Sequence, residues 1–266
     1  GDDLPVSAFP IDGTWPTGTA AWEKRNLATE IPVWEADMCI DCGKCPFVCP
    51  HSAIRSKAFT DADNKDHPQD FKSAPIKGKE FEPGTLISYQ VAPEDCTGCG
   101  LCVEICPITD KKDPQHKALN MQPLEKPLLE QERDNWQHFL QLPEYDRTQV
   151  RADTIKGSML MQPLFEFSGA CTGCGETPYI RLATQLFGER MVVANATGCS
   201  SIYGGNLPTT PWTITTEGRG PAWSNSLFED NAEFGMGMRI AADQQLQEVE
   251  HSLALMRPQL GDELVQ

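Results

Sequence analysis

Cys39, Cys42, Cys45 and Cys49 are spaced C-x-x-C-x-x-C-x-x-x-C, with Pro50 next; Cys96, Cys99, Cys102 and Cys106 repeat that spacing, with Pro107 next. Thiolate sulfur is the soft, anionic donor that iron–sulfur clusters use, and four such donors complete a 4Fe-4S cubane. Within each run, three cysteines lie close enough to wrap one cubane. The fourth is held back by one extra residue and turned away by the proline, so it reaches the other cubane. This assigns Cys39, Cys42, Cys45 and Cys106 to one 4Fe-4S cluster, and Cys96, Cys99, Cys102 and Cys49 to a second. The chemistry implied is the movement of single electrons.

The spacing resembles the bacterial two-cluster ferredoxin run. Structural zinc also uses C-x-x-C pairs, but it needs two pairs per metal and gives no reason for a proline after each fourth cysteine. Disulfides fit worse. Gly1–Pro10 has neither a basic start nor a long apolar run, so nothing marks the chain for export, and thiols that stay inside remain reduced. A cytoplasmic location is expected on that ground. His51, beside Pro50, reads as a surface residue or a neighbour of the ligands, because the cysteine set is complete without it.

The elements that must position these sulfurs are legible in part. The 266 residues suffice for about two domains. No apolar run approaches the roughly 20 residues that span a bilayer, so no membrane partner is expected. The formal charge of −16 argues against nucleic acid. Lys111, Lys112 and Lys117 are a candidate basic patch for an acidic protein partner, set against the plainer reading of a solvated loop. Residues 1–30 are rich in Gly, Pro and Thr and read as an extended arm or linker; Trp15 and Trp22 imply that it packs on something. β-type segments, Ile31–Trp34 and Leu86–Val91, precede the two cysteine runs. Each run should be followed by a helical turn, giving an α+β domain built by β-α-β duplication about a pseudo-twofold axis.

Ile40, Phe47, Val48 and Ile54, with Leu101, Val103, Ile105 and Ile108, are expected to sheath the clusters, while Gly43 and Gly98 let backbone approach closely. Residues 56–83 are polar and read as an insert between the halves. A connector with a short helix near Gln131–Leu142 follows. From Gly157 the character changes. Thr177-Pro178 can start a helix whose buried stripe is Ile180, Leu182, Ala183, Leu186 and Phe187, with Gly188 as its stop. Met191–Ala194 reads as a short buried strand, and the turn at Thr197-Gly198-Cys199 lies where α/β sheets bind ligands. About Asn225 to Met256 should be helical, with Gly235 and Gly237 marking close packing. Met236 and Met238 read as packing side chains, and Trp212 and Trp223 as core or cleft-lining residues.

Three cysteines remain. Cys171 and Cys174 form C-T-G-C, followed by Gly175-Glu176, and Cys199 lies in a separate glycine-rich turn. They cannot complete a four-thiolate cluster by themselves; a redox C-x-x-C or buried structural cysteines are the alternatives. The surrounding segments, Phe167-Ser168-Gly169-Ala170-Cys171-Thr172-Gly173-Cys174-Gly175-Glu176-Thr177-Pro178-Tyr179, Ala194–Gly204 and Gly220–Asp230, resemble those of pyruvate:ferredoxin (flavodoxin) oxidoreductases. The double cysteine motif precedes them in the family's order. The resemblance runs from about residue 10 to 240.

That resemblance implies a dicluster ferredoxin-like domain over 31–145, with its insert at 56–83. The N-terminal part of an α/β thiamine-diphosphate-binding domain would follow over 146–266. It implies that Cys171, Cys174 and Cys199 bind a third, proximal 4Fe-4S cluster whose fourth ligand lies outside this chain. Glu176 and Cys199 would touch thiamine diphosphate, held with Mg2+ in the full-length protein. The family oxidises pyruvate with coenzyme A to acetyl-CoA and carbon dioxide, passes electrons to ferredoxin or flavodoxin, and is homodimeric. The family's Gly-Asp-Gly motif is absent here; Ile11-Asp12-Gly13 and Leu260-Gly261-Asp262 are superficial echoes. The chain is therefore expected to be an internal segment that acts with the rest of the same polypeptide and is inactive alone. The competing readings are a stand-alone dicluster electron carrier, a subunit of a multi-chain 2-oxoacid oxidoreductase, and a module in which the metal serves only to fold the chain.

Overall fold

In the computed structural model, residues 2–8, 11, 16–205 and 209–265 are described. The first cysteine repeat comprises β1 (Glu30–Trp34), α1 (Lys44–Val48) and β2 (Ile54–Thr60). A two-residue strand, β3 (Ala74–Pro75), follows, and the second repeat comprises β4 (Thr85–Val91), α2 (Leu101–Glu104) and β5 (Leu119–Pro123). The repeats exchange strands. β1 pairs antiparallel with β5, from Glu30 opposite Pro123 to Trp34 opposite Leu119. β2 pairs antiparallel with β4, from Ile54 opposite Val91 to Thr60 opposite Thr85. Each of these two ladders joins one strand from either half, as the pseudo-twofold duplication requires. β3 extends the second ladder on the far side of β4.

The cysteine loops share one backbone. Asp41 (φ 62°) matches Gly98 (φ 67°), and Gly43 (φ 70°) matches Gly100 (φ 72°). Left-handed backbone is free of penalty for glycine, and Asp is among the few other residues that tolerate it. The glycine that corresponds to Gly43 is thus Gly100, immediately before α2 as Gly43 is before α1.

Residues 56–83 are not simply an insert. Ser56 to Thr60 complete β2, with Ser56, Lys57, Ala58 and Phe59 buried, and Phe71 and Phe81 return to the core from the remainder. Phe59 and Phe71 join Ala20, Trp136, Phe139 and Phe167 in one apolar cluster. Trp136 and Phe139 stack at 5.2 Å on α3 (Lys126–Gln141), which starts five residues earlier than the apolar pattern suggested because Pro127 occupies its first turn. The N-terminal arm does pack, through Ala20, the Lys24–Asp95 ion pair (2.6 Å) and Arg25 on the Ala170 carbonyl (2.7 Å). Trp22 is not an anchor; it is 85% exposed. Trp15, Asp12 and Gly13 lie outside the described residues.

α4 (Ile155–Met159) and α5 (Thr177–Phe187) lie in the same compact unit as the cysteine repeats. That unit comprises the residues up to Met191 with Ile202–Pro221. The most deeply buried face of α5 is not the expected stripe, whose Ile180, Leu182, Ala183 and Leu186 are only half-buried. Thr177, Arg181, Thr184 and Gln185 are buried, whereas Phe187 is 61% exposed. Hydrogen bonding explains the difference, because this face meets main-chain atoms. Thr184 Oγ1 accepts from Leu164 N (3.1 Å) and Gln185 Nε2 donates to the Met161 carbonyl (2.7 Å). Gly188 does not end α5 in a left-handed turn; a Cβ there would meet Leu164 Cδ1 at 2.8 Å, so the glycine serves close packing.

The second unit contains Val192–Ser201 and the residues from Ala222 onward. Here β6 (Val192–Asn195) pairs in parallel with β7 (Ala222–Asn225), and the first residues of α6 (Cys199–Gly205) follow β6. β6 is not buried; Val192 is 65% exposed. α7 (Asn231–Leu260) begins after β7 rather than at Asn225 and buries no residue, and Met236 is 64% exposed. A Cβ on Gly235 would make ordinary contact with Ala194 at 3.5 Å, and one on Gly237 would meet nothing. The last helix, α8 (Asp262–Val265), ends one residue before Gln266, which lies outside the described residues.

The matched glycines separate two costs. Gly100→Ala should lower stability by about 1–2 kcal/mol, the penalty of left-handed backbone alone. Gly43→Ala should lower it further, because its Cβ would stand 2.9 Å from Lys156 Cα, whereas Gly100 faces open space. Denaturation midpoints of the two variants check this; equal losses would refute the close-approach argument.

Candidate metal centres

Two cavities, each ringed by four thiols, flank the exchanged strands. One is lined by Cys39, Cys42, Cys45 and Cys106, with Trp34, Tyr89 and Leu119 behind them. The other is lined by Cys49, Cys96, Cys99 and Cys102, with His51, Ile54, Val91 and Thr97. Each ring takes three sulfurs from one run and one from the other. Among the described residues no three His, Cys, Asp or Glu side chains converge on a single-ion site; the thiols surround volumes instead.

The electrostatics suit an electron-poor guest. Burial, reinforced by the neighbouring sulfurs, pushes the Cys45 and Cys102 thiols well up, and burial takes Cys96 to about 12. Left alone, these groups are neutral thiols at pH 7; bound iron would displace their protons. Main-chain N–H groups already point at sulfur, from Asp41 to Cys39 Sγ (3.3 Å) and from Gly98 to Cys96 Sγ (3.4 Å). Burial raises the Cys39 thiol as well, and the nearby Trp34 indole and the Asp41 N–H offset only part of that rise. Thr97 Oγ1 is buried at the second cavity and makes no hydrogen bond among the described residues. Four soft donors, N–H groups aimed at sulfur and a spare hydroxyl all fit a cubane with anionic sulfides. The apolar cover is thinner than expected: Ile40, Leu101 and Ile105 are 46%, 38% and 41% exposed.

Several supporting residues carried no motif in the sequence. Asp41, 4% exposed, accepts from Tyr89 Oη (2.7 Å) and pairs with Lys156 Nζ (2.5 Å), which ties the first cysteine loop to β4 and α4. His51 is not on the surface. It is 2% exposed, its Nδ1 faces the Ser168 carbonyl at 3.2 Å, and burial lowers its pKa to about 4. Arg181 on α5 donates to the carbonyls of Pro46 and Phe47 at the end of α1. Of the candidate basic patch, Lys117 is engaged with the Val103 and Glu104 carbonyls, while Lys111 and Lys112 are exposed.

Cys171 and Cys174 close a turn, with Cys174 N donating to the Cys171 carbonyl (3.0 Å) and Gly173 at φ 73°. Cys171 is exposed, Cys174 half-buried, and Glu176 stands immediately before α5 without a side-chain hydrogen bond to its first turn. Cys199 opens α6 and belongs to the second unit. There the carboxyl ends of β6 and β7 meet through Asn195 Nδ2 to Asn225 Oδ1 (2.6 Å), and Ser200 Oγ donates to Asn195 Oδ1 (2.6 Å).

Comparison with known proteins gives these sites a context. Residues 38–109 match a 4Fe-4S dicluster domain, and residues 1–28 match a domain of unknown function. Over its whole length, the chain is similar to pyruvate-flavodoxin oxidoreductases. It is 59% identical over 265 residues to the pyruvate-flavodoxin oxidoreductase of Trichormus variabilis, which covers 100% of this chain and 22% of that protein. It is 57% identical over 245 residues to a probable pyruvate-flavodoxin oxidoreductase of Escherichia coli, covering 92% of this chain and 21% of the relative. A pyruvate:ferredoxin oxidoreductase of Moorella thermoacetica is 51% identical over 241 residues, covering 91% of this chain and 20% of the relative. The chain thus spans about a fifth of the length of the curated relatives it matches. No helix among the described residues is long and apolar enough to cross a membrane.

Asp41 offers a direct test of how the first loop is held. Asn tolerates the same backbone, so Asp41→Asn removes the charge and leaves the half-buried Lys156 ammonium with only the Lys77 carbonyl and the Phe81 ring. The expected loss is about 1–3 kcal/mol. Adding Lys156→Met should restore part of it. A double variant no more stable than Asp41→Asn, in denaturation of the iron-loaded protein, would show that the pair is not coupled.

Proposed function

We propose that this chain is the electron-transfer and proximal-cluster segment of an enzyme that oxidatively decarboxylates pyruvate. The overall reaction would be pyruvate plus coenzyme A to acetyl-CoA, carbon dioxide, a proton and two electrons. Ferredoxin or flavodoxin would accept the electrons. The observation that carries this reading is the pair of four-thiol cavities, each completed by a cysteine from the other run, within a chain similar throughout to oxidoreductases of that name.

When bound, each 4Fe-4S cluster would take up and release one electron at a time. Cys39, Cys42, Cys45 and Cys106 would hold one, and Cys49, Cys96, Cys99 and Cys102 the other. The protein's own contributions are orientation and electrostatics. The N–H groups of Asp41 and Gly98 stabilise negative charge on sulfur. Trp34, Ile54, Tyr89, Val91 and Leu119 keep water from the inner sides of the two cavities.

The same reading assigns Cys171, Cys174 and Cys199 to a third cluster with a fourth ligand from outside this chain. Glu176 and Cys199 would contact thiamine diphosphate, bound with Mg2+ in the full-length, homodimeric protein. Its support is the donor chemistry of the Cys171–Cys174 turn, and the position of the Cys199 loop at the carboxyl ends of parallel strands, where α/β sheets take their ligands. Residues 146–266 would then be the N-terminal part of the thiamine-diphosphate-binding domain.

Iron analysis tests the crosswise assignment. The loaded segment should hold about eight irons in its two complete clusters. Cys39→Ala with Cys106→Ala removes two ligands of one cluster and should leave about four irons. Cys39→Ala with Cys49→Ala strikes both clusters and should leave far fewer. Equal iron in the two double variants would overturn the assignment, and stoichiometric zinc in the parent protein would overturn the function.

A further inference from the structure

We infer that Arg181 is the fixed counter-cation of the cluster held by Cys49, Cys96, Cys99 and Cys102, and that its charge raises the reduction potential of that cluster. The inference rests on the cluster assignment proposed above.

Arg181 is 2% exposed. Its Nη1 donates to the Pro46 carbonyl and, at 3.5 Å, to the Cys49 carbonyl, while Nη2 donates to the Phe47 carbonyl at 2.6 Å. All three acceptors are main-chain oxygens. No carboxylate pairs with Arg181 among the described residues, and its Nε makes no hydrogen bond there. Burial, together with the nearby Arg55, lowers its pKa to about 10; the Cys49 sulfur acts in the opposite sense. A guanidinium taken out of water without a counter-charge is costly, and neutral carbonyls compensate only in part. A cluster ligated by four thiolates is anionic, and one ligand is the residue whose carbonyl Arg181 contacts. That cluster supplies the missing charge.

The other buried ionic groups near the cavities are balanced. Asp41, at the first cavity, is neutralised by Lys156, and Asp95, next to Cys96, by Lys24. Arg181 is therefore an uncompensated positive charge beside one cluster. Reduction adds one electron, breaks no bond and makes the cluster more negative by one unit. A fixed cation held in a poorly screened interior favours that product.

The plain alternative is that Arg181 only caps the carbonyl end of α1. Two substitutions in the loaded chain separate the roles. Arg181→Lys keeps the charge and loses the forked donor; Arg181→Gln keeps an N–H donor and loses the charge. The readout is a redox titration followed by electron paramagnetic resonance, with iron counted in each protein. Loss of one signal in Cys49→Ser identifies the relevant cluster. Arg181→Gln should move that cluster to more negative potential and leave the other unmoved, while Arg181→Lys stays near the parent. If Arg181→Gln sheds iron while Arg181→Lys retains the parental content, the charge is needed to hold the anionic cluster, which also supports the inference. Equal shifts in both variants, no shift in either, or equal iron loss in both would reduce Arg181 to a cap and overturn it. A parent protein without iron would instead overturn the cofactor assignment.

Discussion

Eight thiols have to leave water and face one another in two sets of four, and neither cysteine run can supply a set alone. Each cavity draws three sulfurs from one run and one from the other. That constraint shapes the rest of the domain. The halves must lie close enough to exchange sulfur, and they do so by exchanging strands, β1 with β5 and β2 with β4. Burial and mutual repulsion raise the thiol pKa values. The folded chain alone therefore bears a cost at its centre, and filling the cavities with positive metal relieves it. On the proposed cluster assignment, metal loading would therefore be coupled to folding.

The segment beyond the second repeat buries Met159, Leu160, Leu164, Phe165 and Phe167 and adds a set of directional polar contacts. Arg181, Thr184 and Gln185 reach main-chain groups, His51 meets the Ser168 carbonyl, and Arg55 pairs with Glu166 against the rings of Trp136 and Phe167. Such contacts fix geometry more strictly than oil-like packing, because a displaced buried donor or acceptor loses its partner outright. For a chain proposed to pass electrons from the Cys171–Cys174 turn to the nearer four-thiol cavity, fixed separation is the property that matters. Ser168 stands three residues before Cys171, and His51 two residues after Cys49. The hydrogen bond between them joins the two sites by a short path.

Patterns that repeat at short range were legible in the sequence. The cysteine spacing pointed to two crosswise sets of four, which line the two cavities, and the segments Ile31–Trp34 and Leu86–Val91 became β1 and β4. The helix announced by Thr177-Pro178 formed at that position. Apolar periodicity misled where the partner surface was polar backbone. On α5 it pointed to Ile180, Leu186 and Phe187, while the buried side is Arg181, Thr184 and Gln185. It also missed that Ser56–Thr60 complete a strand, since Ser56 and Lys57 look solvated until the Met159 and Leu142 carbonyls that receive them are in place.

By itself, then, the sequence determined which atoms can bind metal and in what local order, because ligand chemistry and loop spacing are properties of a few adjacent residues. The company those ligands keep was decided only by the tertiary structure. Asp41 with Tyr89 and Lys156, His51 with Ser168, and Arg181 with the carbonyls at the end of α1 join positions dozens of residues apart. A lone Asp, His or Arg looks the same on a solvated loop as beside a metal centre. What separates the two is burial and the direction of a hydrogen bond, and neither exists until distant parts of the chain have packed.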